Sequence, residues 1–305
     1  MSGARILDGR ALSAELRAGI VTEVEELRAE GLVPGLAVVL VGDDPASAVY
    51  VSMKARACHK AGMTDRTVRL PADISRDDLF DRIDALNADP AIHGILVQLP
   101  LPPHLDPKAV LERIRPEKDV DGFHPLNVGR TFVGDYAHGF APATPAGIVE
   151  LLRHHDIHTH GRHVVVVGRS LIVGKPLAAL MGAPGFNATI TLTHRHTRGL
   201  AAITRMADIL VVVVGKPKLI TRDMVKPGAT VIDVGISRIG GEGADDKPRV
   251  VGDVDFEAVR EVAGAITPVP GGVGPMTITM LMRNTLEAAL RIHRGSHRPV
   301  LAGTA

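Results

Sequence analysis

The stretch VVVVGRSLIVGKPLA, Val164–Ala178, decides how the fold is read. Four β-branched residues run into a glycine loop that ends in Gly-Lys, the pattern of a strand feeding a phosphate-holding turn. A loop that cleaves a triphosphate needs G-x-x-x-x-G-K-[ST], with a hydroxyl to hold the magnesium ion. Here five residues separate Gly168 from Gly174, and Pro176 stands where that hydroxyl is required. Proline offers neither hydroxyl nor N–H, so the cleavage reading fails twice. The spacing is not G-x-G-x-x-G either, yet the needs of a dinucleotide turn are met. Gly168 allows a sharp exit from the strand, Arg169 and Ser170 supply a charge and a hydroxyl, and the segment beyond opens a helix N-terminus. On this loop alone an ordinary strand–loop–helix turn remains an equal alternative.

Working outward, apolar runs recur at ATITLT (188–193), ILVVVV (209–214) and ATVIDV (229–234), each separated from the next by helix-length sequence. This predicts a doubly wound, Rossmann-like second domain. THRHT (193–197) falls where an NAD-binding chain places an acid on the ribose; Arg195 between two histidines suits a 2′-phosphate, and so NADP. Upstream, Leu12, Leu16, Ile20, Val24 and Leu27 keep helical spacing, and LAVVLV (36–41) reads as a strand covered on both faces. A helix over 46–61, strand 67–70, a helix near 76–88 and strand 94–99 complete an N-terminal α/β layer domain. The Gly-, Pro- and His-rich passage 116–145 reads as the link between domains, with Thr144 as the cap and Pro145 as the first residue of the next helix. GGEGADDKPR (240–249) reads as a polar loop between strands.

Net charge is +1, from 35 Lys and Arg against 34 Asp and Glu, with no basic stripe to favour nucleic acid. The single cysteine, Cys58, excludes an intrachain disulfide framework and fits a reducing, cytoplasmic setting. No apolar run reaches bilayer length, so no membrane partner is expected. Five histidines crowd HHDIHTHGRH (154–163), but without paired spacing to Cys or carboxylates they read as a surface connector, and no metal is expected.

Four stretches carry candidate chemistry. SAVYVSMKARACHKAG (47–62) sets Tyr50 and Lys54 four apart on one helix face. A desolvated Lys can serve as a proton carrier; lowering its pKa by about three units costs about 4 kcal/mol, and the bland alternative is a lysine snorkelling from a helix edge. Gln98 in VQLPLPPHL ends a strand, where open sheets bind ligands. PEKDVDGFHPLN carries Asp119 and Asp121, either a grip for a ring bearing N–H donors or solvated turn residues. TPVPGGVGPMT (267–277) has more Gly and Pro than a solvent turn needs and suits close approach to a flat ligand.

Together, DDPASAVYVSMKARACHKAG, ILVQLPLP, KDVDGFHPLNVGR, VGRSLIVGKP, KPGATVIDVGI and PVPGGVGPMT, in this order across nearly the whole chain, resemble the bifunctional methylenetetrahydrofolate dehydrogenase/methenyltetrahydrofolate cyclohydrolase family. The resemblance implies NADP-dependent oxidation of 5,10-methylenetetrahydrofolate followed by hydrolysis to 10-formyltetrahydrofolate, in one-carbon metabolism. It implies Lys54 as the acid/base of the hydrolysis, Gln98 as its partner, Tyr50 against the aminobenzoyl ring and Asp121 on the pterin. Leu99 and the loop Pro270, Gly271 and Gly272 would line the substrate. Gly168, Arg169, Ser170, Val173, Gly174, Arg195, Thr197, Gly215, Ile236, Val273 and Thr277 would surround the cofactor. It further implies that the last helix returns to the first domain, giving 1–143 plus 276–305 as the folate domain and 144–275 as the dinucleotide domain, and a homodimer. Where relatives often carry Cys-Thr-Pro this chain has Ala143-Thr144-Pro145. The alternatives are a monofunctional or NAD-preferring dehydrogenase, or a non-catalytic folate- or nucleotide-binding regulator; retention of both Lys54 and Gln98 argues against the last.

Overall fold

The computed structural model describes residues 3–240 and 249–295. The chain opens with a short strand, β1 (Arg5–Ile6), and a long helix, α1 (Gly9–Ala29). Then come β2 (Gly35–Val41), α2 (Pro45–Lys60), β3 (Thr64–Leu70), α3 (Arg76–Ala88), β4 (Gly94–Val97), α4 (Pro107–Arg113) and α5 (Pro125–Val133). Local signals set these boundaries. The Asp44 carboxylate caps α2 by accepting from the Ser47 N–H, with Pro45 in its first turn, and Ser75 caps α3. All seven residues of β2 are buried, as the unbroken apolar run requires of a strand with both faces covered. The second half continues with α6 (Ala143–His154), β5 (His163–Val167), α7 (Gly174–Gly182), β6 (Thr189–Thr193), α8 (Leu200–Thr204), β7 (Ile209–Val212) and β8 (Thr230–Asp233). It closes with β9 (Ser237–Ile239), β10 (Arg249–Val251), α9 (Phe256–Val259), β11 (Ala265–Ile266) and α10 (Val273–Arg294).

Two compact units result. The first comprises Ala14–Ala143 and, among the described residues, 278–295. Its parallel sheet runs β3-β2-β4, over a core that includes Val39, Val41, Leu79, Ile83, Ile95 and Val97. The second comprises, among the described residues, 3–13 and Thr144–Thr277. Its parallel sheet runs β1-β11-β8-β7-β5-β6, and its core includes Val165, Val167, Leu210, Val212, Val231 and Ile266. The α/β class and the Rossmann-like second half expected from the apolar runs are what the chain adopts, and α10 passes into the first unit beyond Thr277.

Three details differ from the sequence reading. Residues 3–13 belong with the second unit, because β1 pairs in parallel with β11 (Arg5↔Ala265, Ile6↔Ile266) and the Leu7 N–H donates to the Ile266 carbonyl at 2.9 Å. A two-residue strand has no periodicity to read. The 116–145 passage is not merely a link, for it contains α5, capped by His124 and closed at Gly134 with φ +78°. Thr144 is not a cap: α6 already begins at Ala143, and the Thr144 hydroxyl lies 2.9 Å from that of Thr277. The polar loop assigned to 240–249 falls mostly on 241–248, outside the described residues, as do the terminal residues 296–305; β9 and β10 on either side of the loop pair antiparallel.

Candidate functional site

In the first unit Tyr50, Lys54 and Cys58 follow at four-residue intervals along α2 and share one side of it. Exposure falls along this stripe from 38% at Tyr50 to 9% at Lys54 and 0% at Cys58. The Lys54 ammonium donates to Gln98 Oε1 at 3.1 Å. Gln98 is fixed at both ends: its backbone N–H donates to the Val39 carbonyl at 2.9 Å, and its Nε2 donates to the Leu99 carbonyl at 2.8 Å. The side-chain amide therefore turns its oxygen to the amine. The Leu99–Pro100 peptide is cis. Burial pulls Lys54 below the ordinary lysine range, against the opposing charge of Asp121 and, to a smaller degree, Cys58. Burial raises the Asp121 carboxyl, against the opposing charge of Lys54. The result is an amine, short of water, facing a carboxylate and an amide oxygen, which suits a group that takes up and returns a proton. Cys58 is no competing nucleophile, since burial pushes its thiol up to about 12.

The loop bearing Asp121 is held from three directions. Asp119 extends the sheet through a bridge to Ile95, and its carboxylate accepts from the N–H groups of Phe123 (3.3 Å) and His124 (2.8 Å) and from Asn127 Nδ2 (2.9 Å). Burial raises the Asp119 carboxyl to about 6. From α10, the buried Asn284 Nδ2 donates to the carbonyls of Val120 (2.8 Å) and Ala141 (3.2 Å). Two helical turns further, the Arg291 guanidinium lies 4.5 Å from the Phe140 ring centroid and donates to the Gly139 carbonyl.

In the second unit the strand order places a switch point between β5 and β7, since β6 lies on one side of β5 and β7 on the other. Open α/β sheets bind ligands at such a crevice, beyond the carboxyl ends of the strands. Two loops meet there. Gly168, with φ +124°, ends β5, and a Cβ on it would lie 2.2 Å from the Val213 carbonyl oxygen just past β7. A Cβ on Gly174 would lie 2.0 Å from the Gly168 carbonyl oxygen, so both positions need glycine. Ser170 Oγ accepts from the N–H groups of Val173 (3.2 Å) and Gly174 (3.3 Å), where the loop enters α7. The Gly215 N–H donates to Asp253 at 2.9 Å. Arg169 and Arg195 are exposed on the loops after β5 and β6; Arg195 Nε donates to His196 Nε2 at 3.1 Å, and Thr197 Oγ1 accepts from the His194 N–H at 2.9 Å. Ile236 is exposed, with its Cδ1 lying 4.0 Å from a Cβ built on Gly274, while Val273 is buried at the start of α10.

Of the residues singled out in the sequence, Lys54, Gln98 and Asp121 converge, with Tyr50 one turn away. Pro270, Gly271 and Gly272 lie in the second unit, after a cis Val269–Pro270 peptide. The sequence reading missed Gly9, on which a Cβ would lie 1.8 Å from the Gly272 carbonyl oxygen, so the start of α1 is seated on that loop. It also missed Asn284, Asp233 and Asp253; the only signal for the last two was a carboxylate at the end of an apolar run. Among the described residues no group of three or more His, Cys, Asp or Glu is arranged to hold a metal, and no helix is long and apolar enough to cross a membrane.

Comparison with known proteins agrees with this geometry. Residues 7–121 match the tetrahydrofolate dehydrogenase/cyclohydrolase catalytic domain, and residues 142–293 match the NAD(P)-binding domain of the same description. A bifunctional FolD protein of Myxococcus xanthus is 62% identical over 286 residues, covering 94% of this chain and 98% of that protein. The crystal structure of a bifunctional methylenetetrahydrofolate dehydrogenase/cyclohydrolase from Campylobacter jejuni superposes with a TM-score of 0.89 at 43% identity, covering 95% of this chain and 99% of that one. A Trypanosoma brucei methylenetetrahydrofolate dehydrogenase-cyclohydrolase, solved with NADP and an inhibitor, gives 0.90 at 39% identity, covering 96% and 100%.

Proposed function

Because this chain belongs to the tetrahydrofolate dehydrogenase/cyclohydrolase family, we propose that it oxidises 5,10-methylenetetrahydrofolate with NADP⁺ and hydrolyses the 5,10-methenyl product to 10-formyltetrahydrofolate. The observation that carries the second activity is the buried Lys54 amine held at 3.1 Å by Gln98 and faced by Asp121. A protein that only bound folate would have no use for it.

The first unit holds the folate in this reading, with Asp121 accepting from the pterin N–H groups and Tyr50 against the aminobenzoyl ring. Water adding to the methenyl carbon loses a proton, which the neutral Lys54 amine accepts. Lys54 then returns a proton to the ring nitrogen as its bond to that carbon breaks, and the former water hydroxyl releases its own proton to solvent as the formyl carbonyl forms. Gln98 Oε1 keeps the amine on this path throughout.

The second unit fits a dinucleotide: glycine at 168 and 174 lets the backbone close tightly at the switch point, beside the N-terminus of α7. NADP⁺, when bound, supplies the hydride acceptor. Arg169 and Arg195 are the cations offered to its 2′-phosphate, and Thr197 shapes the loop bearing Arg195. Hydride transfer needs the rings held in place more than it needs an acid or base, so Pro270 to Gly272, Val273, Ile236 and Thr277 act by positioning. The family resemblance favours a homodimer, and the single buried cysteine suits a cytoplasmic setting.

The test is a spectrophotometric assay with methylenetetrahydrofolate and each nucleotide. NADPH should appear, and the methenyl absorbance should decay faster than its spontaneous rate. Nucleotide reduction without enzyme-dependent decay would leave a dehydrogenase alone, and no reduction of either nucleotide would leave a binding protein.

A further inference from the structure

Among the buried polar groups that neither the proton carrier nor the glycine loop uses, Asp253 stands beside the switch point. Asp253, fully buried just past β10, accepts from the N–H groups of both Val214 (2.7 Å) and Gly215 (2.9 Å) through Oδ2. Its other oxygen, Oδ1, is buried and has no hydrogen-bond partner among the described residues. The two loop amides are therefore the hydrogen bonds that compensate this carboxylate, and the carboxylate is what those amides are turned toward.

Asp253 is held in its turn. Asp233, the last residue of β8, accepts the Asp253 N–H at 3.0 Å, the Val254 N–H at 2.9 Å and the Gly235 N–H at 2.9 Å. Burial above all, with Asp253 nearby as a like charge, raises the Asp233 carboxyl to about 6. A Cβ on Gly235 would lie 2.4 Å from Asp253 Oδ1, so the chain after β8 passes directly against the carboxylate. The backbone adds a strap, with the Lys218 N–H on the Gly252 carbonyl (3.2 Å) and the Ile220 N–H on the Asp253 carbonyl (3.0 Å). Three segments at the carboxyl end of the sheet thus converge on two aspartates.

The segment so held is the one that matters for a nucleotide. Val213–Gly215 is one wall of the switch point, and Val213 touches the Gly168 turn that forms the other. We infer that Asp253, backed by Asp233, is a positioning residue for the dinucleotide, fixing the loop after β7 in the shape that accepts it. This rests on the dehydrogenase reading above. It assigns Asp253 no contact with the reacting atoms.

Asp253→Asn keeps the shape and removes the charge that gathers the two amides. In the full-length protein it should raise the dissociation constant of NADP⁺, measured by calorimetric titration, about tenfold or more. The cyclohydrolase rate, which depends on Lys54 in the other unit, should stay at the wild-type value. Val259→Ala, a substitution in the core of the same unit, separates positioning from bulk stability: it should lower the melting temperature while leaving NADP⁺ affinity unchanged. NADP⁺ affinity within about twofold of wild type in Asp253→Asn overturns the inference, as does an equal loss of affinity in Val259→Ala. If Asp253→Asn does not fold, Asp253→Glu keeps the charge but shifts its oxygens by a methylene, and the same two readouts decide. A wild-type protein that reduces no nucleotide would instead sink the functional reading, a result distinct from either.

Discussion

The Lys54 amine and the Gln98 side-chain oxygen stand 3.1 Å apart, one on α2 and the other just past the end of β4. Gln98 can hold that position because its own amide nitrogen is tied to the Leu99 carbonyl. Lys54→Met keeps the unbranched shape of the side chain and removes the proton carrier. Cyclohydrolase activity should fall to the background rate, while part of the dehydrogenase activity survives. Equal loss of both in a folded protein that still binds folate would remove Lys54 from its assigned role.

The pH profile provides a second check. Burial places Lys54 below its ordinary 10.5, and Asp121 opposes that shift. Since the neutral amine is the working form, the cyclohydrolase kcat should rise with pH through the Lys54 titration. Asp121→Asn removes the charge that favours the ammonium, so the rising limb should move to lower pH. A limb that stays put means that the two groups do not sense one another, and one that moves up means that Asp121 does not favour the ammonium; either overturns the pairing.

Buried carboxyls give the stability a pH dependence of opposite sign to the usual one. Asp119 and Asp233 are raised from 3.8 to about 6. A group with its folded pKa above its unfolded value contributes stability below the unfolded value and loses it as the pH climbs through the folded one. Each can cost at most about 3 kcal/mol by pH 7. His93 and His155, lowered chiefly by burial, act the other way, losing stability as the pH falls through their ordinary 6.5. The comparison is therefore Asp119→Asn against wild type by urea unfolding. The variant should gain on the wild type steadily between about pH 4 and pH 6. A constant gap across that window would refute the assignment.

Arg195 should govern the choice of nucleotide. Arg195→Ala should raise KM for NADP⁺ by about tenfold or more and leave KM for NAD⁺ unchanged, because only NADP⁺ carries the 2′-phosphate. Steady-state kinetics with both nucleotides decide it, and a parallel rise in both would place Arg195 elsewhere.

The legibility of this chain follows from the range of each interaction. β2 and β5 were plain because buried parallel strands are apolar throughout, and Tyr50 and Lys54 because helix geometry aligns positions four apart. The pairing of Lys54 with Gln98 spans 44 residues, and no local rule announces it; family resemblance did. Asn284 and Asp253 stayed hidden for the same reason. Each is one polar residue in an apolar neighbourhood, and its partners lie 164 and 143, or 39 and 38, residues away. β1 was lost for lack of length.

The pairing of β1 with β11, and the reach of Asn284 to the Val120 and Ala141 carbonyls, set an order on biosynthesis. On the ribosome Arg5 emerges long before its neighbour Ala265, so β1 waits unpaired while the chain between them is made. The loop of Asp121 likewise waits for Asn284 on α10. A nascent chain that has not yet reached Ala265 therefore carries an open sheet edge in one half and an unbuttressed loop in the other, both of them surfaces on which a partly made chain can mispair.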